Sequence, residues 1–151
     1  MIIKIKKLYS DVMIPKKESD NAVCRDVIIH DIIQTDQEFA TVKLGFATEI
    51  PIGYKGCIVP RSSFTQKGWI MQNSPAQIDS DYRGEWMIKF EAIPHYFKTD
   101  DGQMMYDEFP YKIGDRCAQI YFEKELEIEF EEIEELSDTK RGVGSYGSTG
   151  S

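Results

Sequence analysis

The sequence predicts an all-β sandwich or barrel, and three observations carry the prediction. Apolar and polar residues alternate with a period of two, the repeat of a strand with one buried face. Short segments rich in Gly, Pro, Asp and Asn interrupt the alternation, as in folds built from many short strands. Glutamates occupy every second position from Glu123 to Glu131. A helix would scatter these carboxylates around its axis, whereas a strand gathers them on one face.

The elements follow in chain order. Ile3 and Ile5 alternate with Lys4 and Lys6 in a first strand. "PKKESDN", "QTDQE" and "PIGYKG" read as turns. Residues 61–67 offer a short helix that starts at two serines, and its N-terminus would attract an anion. Trp86, Ile88 and Phe90 alternate with Met87, Lys89 and Glu91 in another strand. "KTDDGQ" and "KIGDR" are further turns. Ile120, Phe122, Leu126, Ile128 and Phe130 then share one parity, interrupted by Lys124, while glutamates fill the other, which predicts a strand running to Phe130. The Gly/Ser-rich "RGVGSYGSTG" reads as a tail, with no internal repeat or linker before it.

Composition narrows the function classes. A chain of 151 residues fits one domain with a sizeable core. With 41% hydrophobic and 12% aromatic residues it is not of the disordered class. No apolar run approaches the ~18 residues of a membrane span. The opening "MIIKIKKLYS" mixes lysines into its apolar residues, unlike a signal peptide. Cys24, Cys57 and Cys117 lack metal-ligand spacing and read as free thiols in a reducing compartment, the cytoplasm. His30 and His95 stand alone and read as surface or half-buried residues rather than zinc ligands. A net charge of −8 argues against nucleic-acid binding through a basic face, yet allows a small anion where positive charge is concentrated.

The arginines are so concentrated. Each of the five sits among Gly, Asp, Ser or Asn: "VCRDV" (Arg25), "PRSSF" (Arg61), "DYRGE" (Arg83), "GDRCAQ" (Arg116) and "RGVGSYGSTG" (Arg141). Rigid guanidinium forks suit phosphate and carboxylate alike, so the set reads either as a polyphosphate site or as an ion-pair network. "RSS" places two hydroxyls and adjacent N–H groups beside a guanidinium. The tail adds glycine N–H groups, the Ser148 and Thr149 hydroxyls, and Tyr146, which is large enough to cover a base by stacking. In "NSPAQIDSDYRGEW", Asn73 offers a donor and an acceptor to a base edge. Asp79 or Asp81 offers a carboxylate to orient and deprotonate a water, and Tyr82 a flat surface for a sugar. The competing reading of this stretch is a β-turn with an Asp–Arg pair.

In order and identity these stretches resemble the motifs of the trimeric dUTP diphosphatase (dUTPase) family. The resemblance spans nearly the whole chain. "PRSSFTQKGWI", "NSPAQIDSDYRG", "GDRCAQIYF" and "RGVGSYGSTG" match the second to fifth motifs. The first, "NAVCRDV", is degenerate, and only Asp26 carries over. Ala76 and Ser145 stand where the family usually has glycine, and the stretch from Gly84 to Gly114 is longer than in compact members, a spacing similar to phage-type enzymes. That extra length reads as a surface hairpin.

The resemblance implies a distorted jelly roll, the β-clip or dUTPase-like barrel, over residues 1–138. It implies residues 139–151 as a flexible lid, and a homotrimer whose sites draw on all three chains. Arg61, Ser62 and Ser63 then hold phosphates, and Asn73, with Ile78, reads uracil. Asp79 positions the attacking water, and Tyr82 packs on deoxyribose. Gln119 supports the phosphates and the waters of a Mg²⁺ ion that takes no direct protein ligand, and Asp26 stands near those waters. Arg141, Tyr146, Gly147, Ser148 and Thr149 close over the nucleotide. The implied reaction is hydrolysis of dUTP to dUMP and pyrophosphate, with neither nucleic acid nor membrane as partner. The alternatives are a dCTP deaminase-like enzyme, and a regulatory protein of this fold that binds a partner through residues 96–111.

Overall fold

In the computed structural model, which describes residues 1–34, 37–94 and 104–144, alternation becomes strand wherever a neighbouring segment takes up the backbone N–H and C=O groups. The strands are β1 (Lys4–Lys7), β2 (Arg25–Ile28), β3 (Asp31–Gln34), β4 (Phe39–Lys43), β5 (Phe46–Glu49), β6 (Tyr54–Pro60), β7 (Trp69–Met71), β8 (Ala76–Ile78), β9 (Met87–Ala92) and β10 (Arg116–Lys124). They pair antiparallel in the orders β2-β10-β6-β8, β3-β4-β9-β7 and β1-β5. No α-helix occurs among the described residues. The all-β expectation holds, in a jelly-roll-like arrangement.

The two four-stranded sheets share one core. Val27, Ile58 and Ile120 of the first and Val42, Ile88 and Phe90 of the second are all buried in it. Trp86 lies fully buried with its ring 5.5 Å from Phe46 and 6.1 Å from Phe122. Gly56 of β6 makes room for it, since a Cβ there would come 2.6 Å from the indole. No helix among the described residues is long and apolar enough to cross a membrane.

Two expectations change. The helix over 61–67 shrinks to a 3₁₀ turn, Ser62–Phe64. Its bonds run three residues back: Phe64 N–H to the Arg61 carbonyl (2.9 Å), Thr65 N–H to Ser62 (3.4 Å) and Lys67 N–H to Phe64 (3.2 Å). Phe64 is drawn into the core, and Gly68, at φ +67°, turns the chain into β7. So short a turn has no appreciable macrodipole, and the anion-attracting helix end is withdrawn.

The last strand is also shorter than read. β10 ends at Lys124, Glu125 N–H donates to the Gly53 carbonyl at 2.9 Å, and no strand follows through residue 144. Leu126, Ile128 and Phe130 keep their alternation but are 78%, 67% and 94% exposed. A strand needs a neighbour for its backbone groups, and the described residues supply none there.

In the long stretch before β10, residues 95–103, on which part of the expected surface hairpin falls, lie outside the described residues, and 104–111 form a strap against the core. Trp69 Nε1 donates to the carbonyls of Asp107 (3.0 Å) and Glu108 (3.1 Å), and the Tyr106 hydroxyl donates to Glu38 Oε1 (2.8 Å). Tyr106, Phe109 and Tyr111 pack on the buried residues beneath.

Candidate active site

Asp26 is a buried carboxylate on β2, and strand register brings its partners to it. Gln119 of β10 stands directly opposite, and its Nε2 donates to Asp26 Oδ1 at 2.9 Å. Arg116 Nη1 donates to Oδ2 at 3.3 Å and also pairs with Glu18 Oε1 at 2.8 Å. Arg61 Nε lies 3.4 Å from Oδ1. That buried N–H makes no hydrogen bond, so the contact is one of charge. Arg61 Nη1 meanwhile donates to the Arg116 carbonyl at 3.3 Å. The ion-pair reading of the arginines thus holds for Arg61 and Arg116. An ion-pair network fixes Arg61, whose side chain keeps 27% exposure, beside the exposed Ser62 and Ser63.

A second cluster forms where β8 ends. β8 is the edge strand of its sheet, so one row of its backbone groups has no ladder partner. The chain leaves it through Asp79, turns with Tyr82 N–H donating to the Asp79 carbonyl (3.2 Å), and returns past Glu85 to Met87. A cavity of about 210 Å³ opens between the two arms, lined by Ile78, Asp79, Tyr82, Glu85 and Met87 among others. Tyr82 folds over the turn, its hydroxyl donating to the Glu85 carbonyl at 3.1 Å. Gly84 makes this possible, because a Cβ there would collide with the Tyr82 phenol. Arg83 locks the same turn by donating to the carbonyls of Ser80 (2.7 Å) and Tyr82 (3.0 Å). Asn73 Oδ1 accepts from Lys89 N–H at 3.1 Å, which ties the far ends of the arms and leaves the amide NH₂ as the group still free to read a base. The Ala76 methyl joins the core, its residue paired with Ile58.

These clusters do not meet within one chain. Ile78 pairs with Gly56, near one end of β6, while Arg61 follows Pro60 at the other. At ~3.3 Å per residue, the backbones of Asp79 and Arg61 stand roughly 20 Å apart along the strand. The structure thus gathers Asp26, Arg61, Ser62, Ser63 and Gln119 at one end of the sheet, and Ile78, Asp79 and Tyr82 at the other. Arg141 lies beyond the exposed segment, with its Nε donating to the Gly144 carbonyl at 3.1 Å. Tyr146, Gly147, Ser148 and Thr149 lie outside the described residues. Sequence reasoning counted Arg116 among the five arginines but did not pair it with Asp26, and it saw no role for Gly84, which only the fold of Tyr82 reveals. Among the described residues no group of three or more His, Cys, Asp or Glu side chains is placed to hold a metal ion.

The family model described as dUTPase matches residues 11–150. The chain belongs to the dUTPase family. The deoxyuridine 5'-triphosphate nucleotidohydrolase of Nautilia profundicola is 40% identical, with 99% of each chain covered. The nucleotidohydrolase of the same name from Helicobacter pylori is 32% identical, with 99% of this chain and 97% of the relative covered. Among solved structures, the dUTPase of Staphylococcus bacteriophage 80alpha with dUpNHpp superposes at a TM-score of 0.78 and 22% identity, covering 99% of each chain. The dUTPase of phage phi11 of S. aureus, a structure described with a structural Mg(II) ion, superposes at 0.74 and 18%, covering 91% of this chain and 100% of that one. At these identities the two phage structures speak for the dUTPase fold.

Proposed function

We propose that the chain hydrolyses dUTP to dUMP and pyrophosphate, working as a homotrimer in the cytoplasm. The separation of the two clusters carries the assembly part of this reading. A phosphate chain cannot touch Asp79 at its α end and Arg61 at its far end when both come from one copy. A second copy that brings its Arg61 end to the Asp79 end of the first completes the site. The exposed Leu126, Ile128 and Phe130 supply a reason to assemble, since another copy offers the neighbour that β10's continuation lacks. A groove lined by Ile3, Ile5, Phe46 and Phe122, with Arg25 and Thr48 among them, offers such a segment apolar side chains. The free thiols of Cys24, Cys57 and Cys117 fit a reducing compartment.

In the reaction, the base slides into the cavity beside β8, where edge-strand N–H and C=O groups and the Asn73 amide face its polar edge. Tyr82 lies against the sugar and leaves no room for a 2′-hydroxyl. Asp79 accepts a proton from a water as that water's oxygen bonds to the α-phosphorus and the α–β bridging oxygen departs with pyrophosphate. Arg61, Ser62 and Ser63 of a neighbouring copy hold the leaving phosphates, and Gln119, fixed by Asp26, lies behind them. Residues 139–151, with Arg141, Tyr146, Gly147, Ser148 and Thr149, close over the nucleotide and exclude water. The donor set fits a Mg²⁺ carried by the substrate: Asp26 is already committed to an amide and two guanidiniums, and Mg²⁺ accepts phosphate oxygens and waters as ligands. Such an ion offsets the triphosphate's charge. Pyrophosphate release measured with dUTP, dCTP and dTTP tests the reading. Release from dUTP alone is expected, and release of ammonia from dCTP would replace it with a deaminase.

A further inference from the structure

The turn that carries Ser62 and Ser63 is weakly fixed by its own backbone. Its backbone bonds span three residues, the Thr65 hydroxyl adds one to the Ser62 carbonyl at 3.0 Å, Arg61 supplies no side-chain cap, and Phe64 is its one buried side chain. Phe64 is gripped from two sides. Phe90 of β9 meets it edge-on at 5.2 Å and 61°, and Tyr111 of the strap stacks on it at 5.7 Å and 13°. β9 is an interior strand, so the Phe90 wall is set by the sheet. The Tyr111 wall is set by the strap, which the two bonds from Trp69 Nε1 and the edge contacts of Phe109 with Trp69 (5.1 Å) and Tyr111 (5.8 Å) hold down.

We propose that Tyr111 is a positioning residue for phosphate binding: its ring, stacked on Phe64, fixes where Ser62 and Ser63 stand beside Arg61. The proposal rests on the reading that Arg61, Ser62 and Ser63 hold phosphates. The ring, not the hydroxyl, does this. The Tyr111 hydroxyl is buried without a hydrogen-bond partner, and burial first of all pushes its pKa up to about 12, so it stays neutral near Arg61. Removing a buried, unpaired hydroxyl should cost nothing, whereas removing the ring opens space behind Phe64 into which the turn can move.

The test compares Tyr111→Phe and Tyr111→Leu with the parent in binding dUMP and a non-hydrolysable dUTP analogue with Mg²⁺. Tyr111→Phe should match the parent for both ligands. Tyr111→Leu should bind the analogue at least ~10-fold more weakly while dUMP affinity stays within about twofold, since a small displacement of a positioning group is costly. Amide exchange gives a readout apart from activity. The Phe64 N–H, which donates to the Arg61 carbonyl, should exchange faster in Tyr111→Leu, with Ile58 and Ile120 unchanged. If Tyr111→Leu does not fold, Tyr111→Met, whose unbranched, flexible side chain reaches further into the space without a ring, serves the same comparison. An unchanged analogue-to-dUMP ratio, or an equal loss in Tyr111→Phe, overturns the proposal. Arg61→Ala separates it from the reading beneath: a ratio lowered there but not by the Tyr111 variants sinks only the role of Tyr111, and a ratio unmoved by Arg61→Ala sinks the phosphate assignment itself.

Discussion

Asp79 and Tyr82 leave β8 in one turn, and their roles separate by substitution. Asp79→Asn keeps the shape of the side chain but removes the proton acceptor, so turnover should fall by at least ~10²-fold with nucleotide binding retained. Steady-state kinetics beside analogue binding checks this, and near-parent turnover would remove Asp79 from the chemistry. Tyr82 depends on a residue that never touches substrate. Because a Cβ at Gly84 would collide with the phenol, Gly84→Ala should push the ring off its place and weaken the preference for dUTP over UTP. A full preference retained in Gly84→Ala would place sugar selection elsewhere. The thiols report on packing at the same scale. Burial raises the pKa of Cys57, and raises that of Cys117 to about 12. Higher thiol pKa means less thiolate at pH 8, so both should resist a disulfide reagent until the chain unfolds, while the less buried Cys24 reacts in the native protein. Rapid native labelling of Cys117 would contradict the buried placement.

Elements were legible where one chain settles them and illegible where it does not. Ile3 and Ile5, and Trp86 to Phe90, reveal strands because their pattern and their partners lie in the same molecule. Residues 61–67 looked helical from two serines and a charge. Periodicity cannot register that Phe64 is drawn into an aromatic cluster and Gly68 bends away. The strap escaped notice for the same reason, since "MMYDEFPY" alternates with nothing. The segment beyond Lys124 is the instructive case. Its alternation was read correctly, but alternation predicts a strand only if a neighbour exists, and Leu126, Ile128 and Phe130 remain exposed without one. Of the candidate site, residue identities were visible in the motifs, whereas Arg116 on Asp26, Gly84 beneath Tyr82 and the division into two clusters depend on register. If another copy covers the apolar side of the segment, each such side chain gains roughly 1.5–3 kcal/mol on burial. Ile128→Asp should therefore weaken assembly without unfolding the sheets. Light scattering should show smaller species with an unchanged far-UV spectrum, and an intact trimer would exclude Ile128 from the interface.

The whole molecule places Asp79 and Arg61 at opposite ends of β6, and under the proposed function this geometry makes a sharp demand. Asp79→Asn and Arg61→Ala chains should each form inactive trimers, for different reasons. Unfolded together in equal amounts and refolded, they should form mixed trimers. If each site takes Asp79 from one chain and Arg61 from its neighbour, a site works when the first chain carries the Arg61 substitution and the second the Asp79 substitution. Random assortment satisfies that in about a quarter of sites, because each condition is met half the time and closed three-fold symmetry makes every interface equivalent. If both residues came from one chain, every site would inherit at least one defect and no activity would return. The control is each variant refolded alone, which should stay inactive. Activity of the mixture near a quarter of the parent's would establish that the site is shared between copies. A mixture no more active than its components would mean that the chain bends Asp79 and Arg61 together by some route other than the sheet, and the proposed site would have to be rebuilt within a single copy.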